Sequence, residues 1–329
     1  MRYGLLLFGL VLIVVVLSFW SLLTGPAPIP MRDSLHALLS GESEAIALVV
    51  REIRLPRTLL ALMIGASLGL SGAALQGYLR NPLAEPSILG VSASASLGAV
   101  IAIYTGLSLA FPLALPLMAL AGAVVSVFLV KLLAGRGASA LAVILAGVAV
   151  TSLAGAMTAL ALNISPNPFA AMEIVFWMLG SLADRSMVHV ALVAPFIVIG
   201  WLMLLSLGRA LDSLTLGSDA AESLGVSLSR VQWLAVLGTA SCVGASTAVA
   251  GAIGFVGLVV PHILRPLVGA RPSRLLVASA FGGAALLLGA DLVVRLTMRG
   301  DELKLGVLTA LIGAPFFLWL IFKYRRQLL

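Results

Sequence analysis

The sequence predicts an all-α, polytopic membrane protein with about ten transmembrane helices, and three observations lead to this fold class. Of the 329 residues, 61% are hydrophobic and only 10% are charged, whereas about a quarter of a soluble domain is charged. Apolar runs of about 20 residues, long enough to cross a hydrocarbon core of about 30 Å, recur along the chain. The runs are continuous and do not alternate with period two, which excludes a β-barrel.

Charged positions and Pro/Gly-rich breaks divide the chain into ten predicted spans. These are residues 4–23, 57–77, 88–107, 113–133, 139–162, 188–207, 231–250, 252–268, 275–296 and 305–322. The eighth is short and contains Pro261. The intervening segment 163–187 is long and amphipathic enough to predict a short interfacial helix. The first span is too long for a signal peptide's apolar region, so we expect it to be retained.

The distribution of charge predicts how the chain is oriented in the membrane. An even number of spans places both termini on one side, and Lys and Arg concentrate in cytoplasmic loops. With the termini inside, the inner side carries a net charge of +8 and the outer side −1. We therefore expect cytoplasmic termini, a cytoplasmic loop at 209–230 and a periplasmic loop at 24–56. The net charge of +7 then reflects membrane orientation, and no nucleic-acid partner is expected.

A faint internal repeat aligns Arg57 with Arg230 and Gly65 with Gly238. Both segments continue as helices of small residues into a proline-bearing turn. Because the second span would run inward and the seventh outward, the sequence predicts a pseudo-symmetric inverted repeat of the kind that transporters use.

Residues that would power transport or catalysis are scarce. No GxxxxGK[ST] phosphate-binding loop occurs, and the spacing of His36, His189 and His262 predicts no metal site. Asp291 and Arg295 lie four residues apart in the ninth span and are expected to pair on one helix face. An ion-coupled secondary transporter or a membrane-embedded enzyme would need more intramembrane charge, so these two alternatives are less favoured.

A segment typical of a soluble protein, LDSLTLGSDAAESLGVSLSR at residues 211–230, interrupts the apolar chain. Gly217 and Gly225 bracket the sequence SDAAESL. Ser218 suits the N-cap of a helix, Asp219 complements the positive end of its dipole, and Gly225 suits a left-handed stop. The pattern predicts a short capped helix with an apolar flank, which is a surface for a partner.

This segment resembles the cytoplasmic coupling loop of the FecCD-type permeases, the membrane subunits of ABC importers for ferric siderophores, haem and cobalamin. Four further blocks agree in order: RLPRTLLALMIGASLGLSGAALQGYLRNPLAEPSILGVSASASLGA, LAGVAV, GFVGLVVPHILRPLVG and ELKLGVLTALIGAPFFLWL. The resemblance extends from about residue 50 to the C-terminus. It implies a single permease domain over residues 1–329 in the bacterial inner membrane, with ten spans and cytoplasmic termini.

The resemblance also implies the partners. Two permease copies, a homodimer in preference to a heterodimer, would enclose a central pathway through the lipid membrane. A periplasmic or lipid-anchored substrate-binding protein would deliver the cargo. Two cytoplasmic ATPase subunits, which bind ATP and Mg²⁺, would grip the coupling loop, so no cofactor or catalytic residue is expected in this chain. The expected cargo is a ferric siderophore, with haem and cobalamin as alternatives.

Three groups of site residues follow from the same resemblance. ATPase coupling is expected at Leu216, Gly217, Ser218, Asp219, Ala220, Ala221, Glu222, Ser223, Leu224, Gly225 and Val226. Docking of the binding protein is expected at Arg54, Arg57 and Arg295. The pathway and its cytoplasmic gate are expected at Asn81, Leu83, Ser139, Gly147, Thr151 and Gly155. The alternatives are snorkelling around a helix terminus for the first two arginines and pairing with Asp291 for the third.

Overall fold

The chain folds into helices over the residues that the computed structural model describes, which are 3–25, 29–30, 32–34, 44–111, 113–135, 139–165, 167–297 and 303–328. In chain order the helices are α1 (Tyr3–Leu23), α2 (Glu44–Val49), α3 (Leu55–Tyr78), α4 (Val91–Tyr104), α5 (Leu107–Ala110), α6 (Ala114–Ala134), α7 (Ala140–Asn163), α8 (Pro168–Met178), α9 (Met187–Ser206), α10 (Gly208–Leu214), α11 (Ser218–Ser223), α12 (Leu228–Ala250), α13 (Val256–Leu264), α14 (Pro272–Thr297) and α15 (Leu305–Leu328). A π-helical turn joins α2 to α3, and 3₁₀ turns lie at Pro86–Leu89 and Pro266–Val268.

Eight helices of the described chain are long and apolar enough to cross a membrane, which confirms the predicted fold class. They are α1, the continuous helix Ile46–Tyr78, α6, α7, α9, α12, α14 and α15. The third and eighth predicted spans are shorter than expected, since α4 has 14 residues and α13 has nine. At 1.5 Å per residue, α13 covers about 14 Å, roughly half of a hydrocarbon core. It is short because residues 251–255 are not helical.

Residues 44–56, predicted as part of the outer loop 24–56, are helical in the structure. The N–H of Leu55 bonds the carbonyl oxygen of Val50 across the π turn. Pro56 follows in the first turn of α3, where its missing N–H is not required. The helix therefore extends back to Glu44, and most of the remaining loop, with His36, lies outside the described residues.

The segment 163–187 contains the short helix that the sequence predicts. Helix α8 has 11 residues, and the side chain of Asn167 caps it by accepting the N–H of Phe169 at 2.9 Å. The Phe169 side chain is 80% exposed, which suits an interfacial position.

Three helices form the centre of the bundle. The apolar segments of Ile46–Tyr78, α12 and α14 are 83%, 78% and 56% buried, whereas those of α1, α6, α7, α9 and α15 are 17–28% buried. The exposed surface of the peripheral helices is largely apolar. It is therefore suited to contact with lipid or with another membrane chain.

Glycines allow α3 to cross its neighbours at close range. A Cβ atom on Gly65 or Gly69 would lie 2.4 or 2.1 Å from a carbonyl oxygen of α14, and one on Gly72 would lie 1.9 Å from the carbonyl oxygen of Gly257. Positions four and three residues apart share one face of a helix. The small-residue pattern of the second span is thus used for backbone contact.

We predict that Gly72→Ala destabilises the protein by about 3 kcal/mol, the upper end of the range for overpacking, because the added methyl meets backbone and not a movable side chain. Gly289→Ala in α14 is the matched control. No atom lies within 4 Å of the added Cβ there, so stability should be unchanged or higher by about 0.5–1 kcal/mol. Thermal unfolding of the purified variants in detergent measures both, and equal midpoints would contradict the tight crossing.

The two ends of the bundle can be distinguished along α14. Asp212 of α10 binds Ser273 in the first turn of α14, and Arg295 lies about 33 Å further along the helix. We call the end of the bundle near Ser273 the α11 end, because α11 follows α10 in the chain. We call the end near Arg295 the arginine end. The Tyr3 hydroxyl donates to the carbonyl oxygen of Arg274, so α1 begins at the α11 end. Which side of the membrane this end faces stays a prediction.

Helices α3 and α12 run in opposite directions, as the predicted inverted repeat requires. Helix α3 starts at the arginine end and reaches α10, where Gly77 faces Leu211. Helix α12 instead starts directly after α11. Both Gly65 and its repeat equivalent Gly238 lie at close helix contacts.

Candidate functional sites at the two ends of the bundle

Helix α11 ends in the left-handed stop that the sequence predicts. Gly225 has φ +83°, its N–H donates to the carbonyl oxygen of Glu222 at 2.8 Å, and the N–H of Val226 reaches back to Ala221 at 3.0 Å. This pair of bonds is a Schellman motif, which satisfies the last carbonyl groups of the helix. The short helix therefore has a defined C-terminal end.

The N-terminal cap of α11 differs from the prediction. Ser218 is the first helical residue, and the N-cap is Gly217, with φ +108° and no side-chain bond. The carbonyl oxygen of Gly217 accepts the N–H of Ala221 at 3.1 Å, which moves the cap one residue earlier than predicted. Asp219 does lie in the first turn, where a carboxylate complements the helix dipole.

Two leucines leave apolar surface on either side of α11. The side chains of Leu216 and Leu224 are 70% and 64% exposed, whereas Val226 and Leu228 pack partly against the core. Leu216, α11 and Leu224 together form what we call the coupling surface, residues 216–224. Apolar side chains exposed outside the spanning helices indicate a contact surface.

Asp212 connects this region to the central helix α14, a link that the sequence analysis did not predict. Its carboxylate accepts the N–H and hydroxyl of Ser273 at 2.8 and 2.7 Å and the Nε–H of Arg271 at 2.9 Å. Partial burial opposes its ionisation, but these bonds outweigh that effect and hold the pKa of Asp212 below its usual range. Its stabilising contribution is therefore present above the unfolded-state pKa and is lost as pH falls through the folded-state pKa.

At the arginine end, Asp291 is a buried carboxylate shared by two arginines. Its Oδ1 accepts the Nε–H of Arg57 at 2.9 Å, and its Oδ2 accepts the Nε–H of Arg295 at 2.8 Å. This confirms the predicted Asp291–Arg295 pair and adds Arg57 from a helix more than 200 residues away in sequence. The three side chains fasten α3 to α14.

Arg54 and Arg295 also hold the end of α1. The Nη1 of Arg54 donates to the carbonyl oxygen of Leu23 at 2.7 Å and to the Ser34 hydroxyl at 3.0 Å. The Nη1 of Arg295 donates to the carbonyl oxygen of Ser21 at 3.0 Å. Arg54, Arg57 and Arg295 are only 2%, 6% and 5% exposed, so this conformation does not present them at the surface. Their role in docking stays a prediction.

The predicted gate residues occupy defined local structures. The Oδ1 of Asn81 accepts the N–H of Leu83 at 2.9 Å, which closes a turn after α3. Ser139 is the N-cap of α7, because its hydroxyl accepts the N–H of Ala142 at 3.2 Å. Both arrangements shape the backbone, and their role in gating stays a prediction.

Of the predicted pathway residues on α7, Gly147 lies against the 3₁₀ turn Pro86–Leu89, which follows the predicted gate residues in the chain. A Cβ on Gly147 would lie 2.1 Å from the carbonyl oxygen of Ile88, so glycine allows α7 to approach the 3₁₀ turn that follows the gate. The Thr151 hydroxyl donates to the carbonyl oxygen of Gly147 at 2.8 Å. Gly155 is exposed and has no atom within 4 Å of its Cβ position.

Glu85 is a structural link that the sequence analysis did not predict. Its carboxylate accepts the N–H of Phe255 at 2.6 Å, at the start of α13, and lines a cavity of about 230 Å³. Phe255 has a left-handed backbone, with φ +68°. Nearby, the Gln76 amide donates to the carbonyl oxygens of Ala84 and Gly257 at 3.3 Å. Residues 76–85, which include the predicted gate residues, are thereby tied to the break between α12 and α13.

We predict that Glu85→Ala lowers the free energy of unfolding by about 1–3 kcal/mol, because the partly buried N–H of Phe255 loses its acceptor. Glu85→Gln should cost less, since the amide oxygen still accepts. Glu52→Ala is the control, because Glu52 is exposed and its loss should cost less than about 0.5 kcal/mol. Thermal unfolding distinguishes the three variants, and a Glu85→Ala midpoint equal to that of Glu52→Ala would contradict the link.

Both histidines among the described residues have structural partners. The Nδ1 of His189 accepts the N–H of Ser186 at 3.2 Å in the cap of α9. The ring of His262 packs edge-on against that of Phe316, with the two ring centroids 5.7 Å apart. In the part of the chain that the structure describes, no three His, Cys, Asp or Glu side chains group closely enough to hold a metal ion.

These features define a class of protein. The described residues contain eight long apolar helices, glycine-mediated crossings at their centre and a short helix exposed at one end, which are the features of a multi-pass membrane transport subunit. The family can then be assigned from similarity. The chain belongs to the FecCD transport family, whose model matches residues 12–323.

Known relatives agree with this assignment. The vitamin B12 import system permease protein BtuC of Klebsiella pneumoniae is 40% identical over 97% of this chain and 94% of its own length. The Fe(3+) dicitrate transport system permease protein FecD of Escherichia coli is 39% identical over 93% of this chain and 94% of its own length. The chain is accordingly an ABC transporter permease of the bacterial inner membrane, a transport component and not an enzyme.

Solved structures show the same fold. An ABC transporter in an inward-facing conformation, described as of metal-chelate type, superposes with a TM-score of 0.85 and 34% identity, over 96% of this chain and 98% of the other. PsaBC from Streptococcus pneumoniae gives a TM-score of 0.56 at 15% identity, over 88% of this chain and 94% of the other. The second similarity indicates the fold alone.

Proposed function

We propose that this chain is the permease of an ATP-driven importer that moves a ferric siderophore across the inner membrane by alternating access. The coupling surface carries this proposal. Leu216 and Leu224 flank a rigid helix with defined caps, which is the geometry needed to receive force from a separate ATPase subunit. The sequence lacks a phosphate-binding loop, so the energy of ATP has to enter from another chain.

The contacts of α11 give a route by which such a force reaches the central helices. Four residues separate α11 from α12, and Asp212 bonds α10 to the first turn of α14. A displacement of the coupling surface therefore acts on two of the most buried helices of the bundle. Because packed helices move as rigid elements, a small displacement here can tilt whole helices and change access to the pathway.

Docking of an acidic substrate-binding protein is proposed at the arginine end. The Nε and Nη2 atoms of Arg54 have no hydrogen-bond partner among the described residues, so this guanidinium group has capacity for a carboxylate. Arg51, one turn earlier, is exposed and offers an accessible positive charge. Engagement of Arg54 and Arg295 would require the end of α1 to move, because both arginines bond its carbonyl groups. Engagement of Arg57 would require its release from Asp291.

The pathway is proposed along α7, with its gate at Asn81 and Leu83. Gly147 supports this because it brings α7 against the turn that follows the gate. The link from Glu85 to Phe255 supports it further, since it ties the segment that contains the gate residues to α13. Alternating access then requires these contacts to shift together.

A corrinoid is the second candidate for the cargo. Vitamin B12 permeases from Klebsiella pneumoniae and Vibrio cholerae are 40% and 43% identical to this chain, as similar as the ferric dicitrate permease at 39%. Both cargoes are large metal chelates, and one permease architecture suits either.

Competitive uptake in a strain that lacks only this chain tests the proposal. Cells receive labelled ferric siderophores, haem and cobalamin in parallel, with and without the restored gene. Loss and restoration of siderophore uptake is the expected result. Restoration of cobalamin uptake alone would transfer the assignment to the corrinoid. Uptake that survives ATP depletion while a proton gradient is maintained would contradict ATP-driven import.

A further inference from the structure

An open apolar groove of about 490 Å³ lies between α6, α9 and α12, away from the sites described above. Its walls include large apolar side chains such as Val124 and Phe128, which are 66% and 63% exposed. Its floor is formed by small residues such as Ala123 and Gly244. The groove is therefore a recess on a peripheral face of the bundle.

Two stripes of residues at helical spacing line this groove. On α6 the stripe is Leu120, Val124, Val127 and Lys131, and on α12 it includes Leu237, Ser241 and Gly244. Residues three and four apart share one helix face, so each helix contributes a continuous strip along its length. The groove thus runs lengthwise along the two helices.

Positive charge is concentrated at one end of the groove. The Nζ of Lys131 lies 5.2 Å from the ring centroid of Trp233 on α12, which places the last turn of α6 beside the first turns of α12. Arg230, one turn before Trp233, is exposed, as is Lys131. This end is therefore suited to an anion.

The length of the groove matches one leaflet of a bilayer. Lys131 to Leu120 spans about 16 Å along an ideal helix, and half of a hydrocarbon core is about 15 Å. A tryptophan and basic residues at one end, with apolar residues beyond them, are the arrangement found where a helix crosses the lipid interface. An acyl chain with an anionic headgroup has these dimensions and this polarity.

We propose that the groove binds one anionic phospholipid from the leaflet at the α11 end. An acyl chain lies along the α6 and α12 stripes, and the phosphate lies between Lys131 and Arg230, beside Trp233. Because α12 is central to the bundle and begins next to the coupling surface, a lipid at this position contacts a helix that the transport cycle has to move. This inference does not depend on the identity of the cargo.

Fluorescence quenching of Trp233 by brominated lipid tests the proposal. Trp20, Trp177, Trp201 and Trp319 are replaced by Phe, and the full chain is reconstituted in phosphatidylcholine vesicles with a small share of either brominated phosphatidylglycerol or brominated phosphatidylcholine. At about 1 kcal/mol for each of the two basic residues near the headgroup, phosphatidylglycerol should be preferred roughly thirtyfold. The preference is read from how quenching rises with the brominated fraction.

Charge variants determine whether the basic residues cause the preference. Lys131→Gln with Arg230→Gln should remove it, and Lys131→Arg should preserve it. The matched control is a chain in which Trp319 is the one tryptophan. Lys323 lies 5.1 Å from the Trp319 ring, so this pair has the same chemistry on α15, outside the groove. With this one lysine at its ring, Trp319 should favour phosphatidylglycerol by no more than about fivefold, well below the preference at Trp233.

Two results would overturn the proposal. Equal quenching of Trp233 by both lipids would mean that the groove has no selectivity for an anionic headgroup. Absence of quenching by either lipid would mean that protein, such as a second copy of this chain, covers the groove. Unfolding midpoints of all variants are measured in parallel, so that a change in quenching is interpreted only in folded protein.

Discussion

Replacing Asp291 by Asn is expected to lower the free energy of unfolding by about 3–5 kcal/mol, because it removes a buried negative charge that two buried arginines share. The Asp291 side chain is 1% exposed, and those of its partners Arg57 and Arg295 are 7% and 1% exposed. At such a buried site, water cannot readily solvate the two guanidinium groups once the carboxylate is lost. Arg295 would retain its hydrogen bond to the carbonyl oxygen of Ser21, but both arginines would lose the negative charge of Asp291.

Thermal unfolding in detergent measures this effect, and two further variants identify its cause. Asp212→Asn removes a carboxylate whose arginine partner has a 58% exposed side chain, so we expect a loss of about 1 kcal/mol or less. The double variant Asp291→Asn with Arg57→Met removes one positive charge together with the negative one. It should recover part of the lost stability. A single Asp291→Asn variant as stable as Asp212→Asn would contradict a structural role for the cluster.

Replacing residues 218–224 with a Gly/Ser linker is expected to abolish ATP-driven uptake and to leave a folded permease. A flexible linker cannot transmit force, and it removes Leu224 from the coupling surface. The membrane core should be unaffected because, within the replaced segment, only Ala221 is buried. Uptake by vesicles that contain the ATPase measures coupling, and unfolding midpoints confirm the fold. Persistent uptake would refute the assignment of the coupling surface.

A single substitution with a matched control tests the same idea more sharply. Gly225 and Gly106 both have left-handed backbones, with φ +83° and +72°, and neither has an atom within 4 Å of its Cβ position. Alanine therefore introduces about the same strain at each, roughly 1–2 kcal/mol. Gly225→Ala should reduce uptake severalfold because it disturbs the stop of α11, whereas Gly106→Ala should not. Equal uptake by the two variants would show that the Schellman motif is not required for coupling.

Local features could be predicted well from the sequence. The stop at Gly225 depends on one backbone conformation that glycine adopts most readily, and the Asp291–Arg295 pair depends on the four-residue spacing of a helix. The cap at Ser218 was predicted wrongly because Gly217 also suits that position. The sequence also predicts too long a helix for α13. Residues 251–255 are apolar, and their hydrophobicity does not distinguish a helix from the non-helical segment that the structure contains.

Long-range polar contacts could not be predicted from the sequence. The pairing of Arg57 with Asp291, of Glu85 with the Phe255 N–H and of Asp212 with Ser273 each joins segments more than 50 residues apart. No periodicity indicates which distant group a charged side chain meets. The burial of the three arginines is a consequence of the same contacts and was not predicted.

The sequence by itself determined the membrane class, most of the spans and the exposed helix at residues 218–223, because hydrophobicity and backbone preference act locally. The tertiary structure alone decided which helices are central, where glycines allow backbones to touch and which carboxylate neutralises which arginine. Those outcomes depend on packing in an interior where each buried charge needs a partner, and only the folded arrangement of helices supplies it.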